Sequence, residues 1–135
     1  YKPILLKVSP DLAHQQLDEI IDYCLRSGID GIVAGNTTRS RDGITSISKE
    51  KIEEIGNGGM SGAPVHKKNL ELVRYVHTKS EGKLPIIGVG GIMSPEQAKD
   101  MLNAGASLVE IYSGFIYEGP SLVKRILKHL EQTVK

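Results

Sequence analysis

Two patterns of apolar residues alternate along this chain. Ile4-Leu5-Leu6-Lys7-Val8 is a short apolar run stopped by Ser9-Pro10-Asp11, residue types that suit a helix start. Leu12, Leu17, Ile20, Ile21, Cys24 and Leu25 then recur mostly at three- and four-residue intervals, with Asp18, Glu19 and Asp22 among them. That spacing predicts an amphipathic helix closed by Gly28. The next run, Ile29 to Gly35, is rich in β-branched residues and too short for a helix. The order then repeats. Val65 to Thr78 has helical spacing through Leu70, Leu72, Val73 and Val76, and Leu84 to Val89 is a buried strand. Ser94-Pro95-Glu96 opens a helix with a cap, a first-turn proline and an acid. It carries Ala98, Met101, Leu102 and Ala104 and ends at Gly105. Ser107 to Tyr112 is a fourth strand, and Gly119-Pro120 precedes a last helix through Leu122, Val123, Ile126, Leu127 and Leu130.

Four strand–helix units in strict alternation imply a parallel sheet, and apolarity that is continuous within each strand implies cover on both faces. Glycine-rich strand ends suit half of a (β/α)8 TIM barrel, whose whole needs about 250 residues. A doubly wound open sheet is the rival architecture. The long connection after the second strand, Asn36 to Pro64, breaks the rhythm with turn formers at Arg41-Asp42-Gly43 and Asn57 to Gly62. Connections of this length inside a domain are usually functional or mobile. A short helix is expected within it after Ser48, with Ile52 and Ile55 available to pack.

Length, 135 residues, fits one domain. A net charge of +1 leaves no electrostatic footprint for nucleic acid. The single cysteine, Cys24, in step with Ile20 and Ile21, reads as core and excludes a disulfide framework or a multi-cysteine zinc site. Apolar stretches of about five residues fall far below the roughly 20 of a membrane helix, so the segment is expected to be soluble. Tyr1 is not methionine, which suggests a piece of a longer chain.

In a parallel α/β sheet, ligands gather at the carboxyl ends of the strands, and the unusual residues fall there. Lys7 interrupts an apolar strand. It snorkels out to solvent, pairs with a carboxylate or faces a ligand, because an unpaired buried ammonium is costly. Gly35-Asn36-Thr37-Thr38 follows the second strand, and its amides and hydroxyls can recognise carbonyls and carboxylates or simply cap a turn. Gly90-Gly91 before a capped helix lets main-chain N–H groups approach an anion, or serves only to turn the chain. With Tyr112-Ser113-Gly114 it matches the phosphate site that barrels build from their last two loops. Gly58-Gly59-Met60-Ser61-Gly62 is a second backbone cradle or a lid. No metal-ligand spacing, paired carboxylates, nucleophile elbow or P-loop occurs. The four histidines read as solvated helix residues.

In order along the chain, Leu6-Lys7-Val8-Ser9-Pro10-Asp11-Leu12, Asp30 to Thr38, Gly58 to Pro64 and Pro85 to Ile92 resemble the C-terminal half of dihydroorotate dehydrogenases, FMN enzymes of pyrimidine synthesis. The ending, Ala104 to Ser113 with Tyr117-Glu118-Gly119-Pro120, is similar to their quinone-using class 2. The resemblance spans essentially residues 1–135 and implies FMN contacts at Lys7, Gly35, Gly62, Gly91, Tyr112 and Ser113. Lys7 would lie against the flavin ring and favour its anionic reduced form. Asn36 and Thr37 would bind orotate or dihydroorotate. Gly35 stands where the family commonly has threonine, leaving only a backbone contact. The resemblance also implies a quinone partner and a peripheral place on the cytoplasmic side of the inner membrane for a longer parent protein. No catalytic residue is assigned within this chain, because the family's serine base belongs to a first-half motif that does not occur here. Exposed barrel edges would favour self-association. Two other functions share the phosphate loops: a non-catalytic FMN- or phosphate-binding half barrel, and a phosphosugar lyase or isomerase.

Overall fold

The computed structural model describes residues 1–42 and 44–133; Gly43, one of the expected turn formers, lies outside them. Four strands, β1 (Leu5–Val8), β2 (Gly31–Ala34), β3 (Ile86–Val89) and β4 (Leu108–Glu110), pair in parallel in the order β1-β2-β3-β4. An order without reversal is that of a barrel arc, whereas a doubly wound sheet reverses at a switch point. Among the described residues six α-helices accompany them: α1 (His14–Ser27), α2 (Lys49–Ile55), α3 (His66–Lys79), α4 (Pro95–Asn103), α5 (Ser113–Glu118) and α6 (Ser121–Thr133).

Helix ends follow the side chains that cap them. Gly28 closes α1 with φ 76°, a left-handed conformation that glycine adopts without a Cβ penalty. Ser48 and Ser94 cap α2 and α4 through the backbone N–H groups of Lys51 and Gln97. The start of α1 differs from the expectation. Asp11 does not cap it: its carboxylate accepts the Thr38 hydroxyl at 2.5 Å and the Arg39 N–H at 2.7 Å. The helix begins three residues later, where the Gln16 side chain accepts the Ala13 N–H at 3.0 Å. β4 ends at Glu110, two residues before the expected Tyr112; Ile111 and Tyr112 lead from it into α5, a short helix that the apolar pattern did not announce.

The long connection is ordered by side chain to main chain bonds rather than by apolar periodicity. Thr38 and Met60 exchange two backbone hydrogen bonds, of 3.1 and 2.8 Å, across its base. The Arg41 guanidinium donates to the carbonyls of Thr38, Arg39, Ser40, Gly56 and Gly58.

Strand alternation sorts the sheet into two faces. Val8, Ile32, Ala34 and Ile86 lie buried against the helices with Ile21, Val73, Val76, Met101 and Leu122. The other face carries the row Lys7–Val33–Ile87–Leu108, and no described helix covers it. Leu108 is 62% exposed and Leu5 37%. Cover on both faces, expected from continuous apolarity, is therefore not provided by the described residues. Cys24 is buried in the core, as its helical position suggested, and burial raises its thiol pKa. Ile86→Ala should lower stability by about 3 kcal/mol, against less than about 0.5 kcal/mol for Leu108→Ala, measured by chemical denaturation. Comparable losses at the two positions would mean that Leu108 is covered in solution.

Candidate active site

All four strands point their carboxyl ends at one rim, and a cleft of about 270 Å³ opens there. Lys7, Gly35, Asn36, Thr37, Gly62, Gly91, Tyr112 and Ser113 all line it. The eight sequence candidates are thus brought together, although Lys7 and Ser113 are 106 positions apart in the chain.

Each arrives for a local reason. Lys7 belongs to the uncovered face of β1, and its ammonium donates to the Gly35 carbonyl at 2.7 Å. No carboxylate lies within 4.0 Å of it among the described residues. Lys7 is therefore a fixed cation without an acidic partner, and the ion-pair alternative falls away. Asn36 and Thr37 are exposed on the rim, and the Asn36 side chain accepts the Thr37 N–H at 3.0 Å. Thr37 packs so closely on the main chain of residue 59 that a Cβ there would come 2.0 Å from its hydroxyl.

The opposite wall is largely main chain. Gly91, at φ 68°, passes so near the turn before α3 that a Cβ would lie 2.6 Å from the His66 nitrogen and 2.7 Å from the Gly62 oxygen. The N–H groups of Gly62, Gly91 and Ile92 have no acceptor among the described residues. Ser113 opens α5, and its hydroxyl donates to that of Ser61 at 3.2 Å. Tyr112 stands 79% exposed beside it. Of the Gly58 to Gly62 run, Ser61 and Gly62 line the cleft, while Gly58 and Gly59 line a separate apolar pocket beneath the long connection.

Ser61 and Gly90, which belong to the two glycine runs singled out in the sequence, also line the cleft. Glu110, the last residue of β4, lines it too and was not among the sequence candidates, although it broke its apolar run as visibly as Lys7 broke that of β1. Behind the rim, Asp11, in the turn after β1, accepts from the Thr38 hydroxyl and the Arg39 N–H and approaches Lys68 at 3.6 Å. Burial opposes its charge. The hydrogen bonds from Thr38 and Arg39, together with the Lys68 ammonium, outweigh it and hold the carboxyl below the usual aspartate range. Among the described residues no three His, Cys, Asp or Glu side chains converge to hold a metal, and no helix is long and apolar enough to cross a membrane.

The family model described as dihydroorotate dehydrogenase matches residues 1–134. The chain belongs to the dihydroorotate dehydrogenase family. It is 50% identical over 125 residues to the dihydroorotate dehydrogenase (quinone) of Christiangramia forsetii, covering 93% of this chain and 35% of that protein. It is 46% identical over 123 residues to the protein of the same name from Salinispora arenicola, covering 91% and 36%. The chain thus spans about a third of the length of these relatives. Its fold superposes on the ligand-free dihydroorotate dehydrogenase of Eimeria tenella with TM-score 0.87 and 32% identity, over 96% of this chain and 35% of that one. The four-strand arc is accordingly part of a family TIM barrel, as the strand alternation implied.

Two outcomes follow from the geometry. Gly91→Ala should cost about 2 kcal/mol or more through its close contacts and left-handed φ, whereas Gly58→Ala, with open space around it, should be near neutral in the same denaturation series. Because the Asp11 pKa is lowered on folding, its contribution is present above about pH 4, the unfolded aspartate value, and is lost as pH falls through the folded value. Asp11→Asn should therefore be less stable than wild type at neutral pH, and the gap should close under acid.

Proposed function

We propose that residues 1–135 form one wall of the FMN and orotate site of a quinone-dependent dihydroorotate dehydrogenase serving pyrimidine synthesis. The observation that carries the reading is the meeting of an unpaired cation, rim amides and hydroxyls, and unpartnered main-chain N–H groups in one cleft of the family fold.

The residues fit the cofactor. Gly62, Gly91 and Ser113 offer the neutral donors and close main-chain approach that a phosphate needs, with Tyr112 flanking them. Lys7 stands at the other side of the cleft, where a flavin ring would reach, and Gly35 offers only main chain. The cleft, about 270 Å³, is just below the range of roughly 300–1,000 Å³ usual for sites that engulf a ligand, which supports one wall rather than a whole pocket. When bound, FMN would supply hydride acceptance from dihydroorotate and electron delivery to a quinone.

The chain's own residues would do the rest by position. Asn36 and Thr37 would hold the carbonyl and carboxylate groups of dihydroorotate at the rim. Lys7, held by a neutral carbonyl, would keep its full charge for the negative charge that develops beside it. The proton acceptor would be the serine of the family's first-half motif, so this chain alone would have negligible turnover. Further β structure, or a second copy, would pair with the edges of β1 and β4 and cover the open face. The parent protein would sit peripherally on the cytoplasmic side of the inner membrane. A non-catalytic FMN-binding half barrel shares every contact and differs only in turnover; nothing in the comparisons supports a phosphosugar lyase or isomerase.

The 135-residue chain should bind FMN in a flavin titration. Lys7→Ala should weaken binding by about tenfold or more, the loss expected of a charge-assisted contact. Dihydroorotate-dependent quinone reduction by the isolated chain should stay at background. Rapid turnover would overturn the half-site reading.

A further inference from the structure

Asn69, on α3, is a fully buried polar side chain that the site described above does not use; it is 0% exposed. Its position in the helix repeats the inward spacing of Leu72, Val73 and Val76. Its Nδ2 donates to the Asn36 carbonyl at 3.0 Å, while its Oδ1 is buried without a hydrogen-bond partner among the described residues. The carboxamide fills the space between two strand ends. A Cβ at Gly35 would come 2.0 Å from Oδ1, and one at Gly90 would come 2.1 Å from Nδ2. Asn69 does not line the cleft; it stands behind the residues that do.

We infer that Asn69 is a positioning residue, whose carboxamide takes the volume left by Gly35 and tethers the Asn36 carbonyl so that the rim segment Gly35-Asn36 is held in place. The segment is gripped at successive groups. The Gly35 N–H donates to Val89 O at 3.1 Å, the Gly35 carbonyl receives the Lys7 ammonium at 2.7 Å, and the Asn36 carbonyl receives Asn69. Removing the last grip frees the residue that presents its side chain to the cleft. Core stability gives no reason for an amide here, because an apolar side chain of similar volume would fill the space without burying an acceptor that lacks a partner. The amide thus contributes local order while costing stability.

Asn69→Leu keeps the branched four-atom side chain and removes the tether. In the ligand-free chain, hydrogen exchange at the Gly35 amide should speed at least tenfold. Exchange at the Ile32 amide, bonded to the Pro85 carbonyl at 2.9 Å in the same strand, should not change, and the thermal midpoint should hold or rise. Equal acceleration at both amides, or none at Gly35, overturns the inference. The volume coupling has its own test. Gly35→Ala should lower the midpoint, and adding Asn69→Ala should recover at least half of the loss, because the next neighbour is only the terminal methyl of Leu72, at 3.0 Å; additive losses overturn it. The functional arm rests on the proposed role of Asn36: in Asn69→Leu, orotate affinity should fall about tenfold and FMN affinity less than threefold. Equal losses for both ligands overturn a positioning role. A wild-type chain that binds neither ligand would defeat the proposed function, and the exchange result would still decide for or against Asn69.

Discussion

Parallel pairing in unbroken order is the constraint on which the rest of the molecule depends. Because β1 to β4 run the same way in the order of the chain, their carboxyl ends share one edge, and each helix must return to the opposite edge before the next strand begins. Residues that are distant in sequence therefore meet without long excursions. One antiparallel strand would carry its functional end to the far side and empty that quarter of the cleft. Hydrogen bonds that cross between strand ends then refine the arrangement, Gly35 to Val89 on one side and Lys7 to Gly35 on the other.

The same sheet is unevenly covered, and the unevenness separates stability from function. The buried face holds Ile32, Ala34 and Ile86 among the cores of α1, α3, α4 and α6. Every residue that lends charge to the cleft from a strand, Lys7 and Glu110, belongs to the uncovered side. The chain thus keeps its packing energy on one face and its strand-borne charges on the other. Substitutions on the two faces act on different properties, and the apolar residues left open, Leu5 and Leu108, mark where further structure would have to fit.

Much of this was legible in the sequence because it rests on short-range rules. Apolar period and caps located the helices other than α5 within a few residues, and Ser48 and Ser94 cap as their sequence contexts suggested. Strand ends rich in glycine and amide side chains located the rim. What the sequence hid depends on contacts over long separations. Asp11 looked like a helix starter but serves Thr38 and Arg39, 27 and 28 residues away. The long connection lacks period because Arg41 orders it through carbonyls, which leave no mark in a hydropathy pattern. Asn69 did leave a mark: a polar residue in step with Leu72, Val73 and Val76 on a face that must be buried. Its partners, Gly35 and Gly90, reveal themselves only as absences of side chain.

The choice of partner for Lys7 shows how the fold keeps a charge useful. A lysine beside a carboxylate would be held firmly, but the pair would present little net field to a ligand. A carbonyl oxygen accepts the same hydrogen bond with only a partial charge, so the ammonium is oriented without being neutralised. That solution requires the carbonyl itself to be rigid. The peptide groups on either side of the Gly35 carbonyl are hydrogen-bonded, its own N–H to Val89 at the end of β3 and the next carbonyl to Asn69 of α3. Placement of the cation on β1 is thus settled by main-chain groups of β2, β3 and the helix behind them, and a loosened α3 would move a charge on a strand that α3 does not adjoin in the sheet.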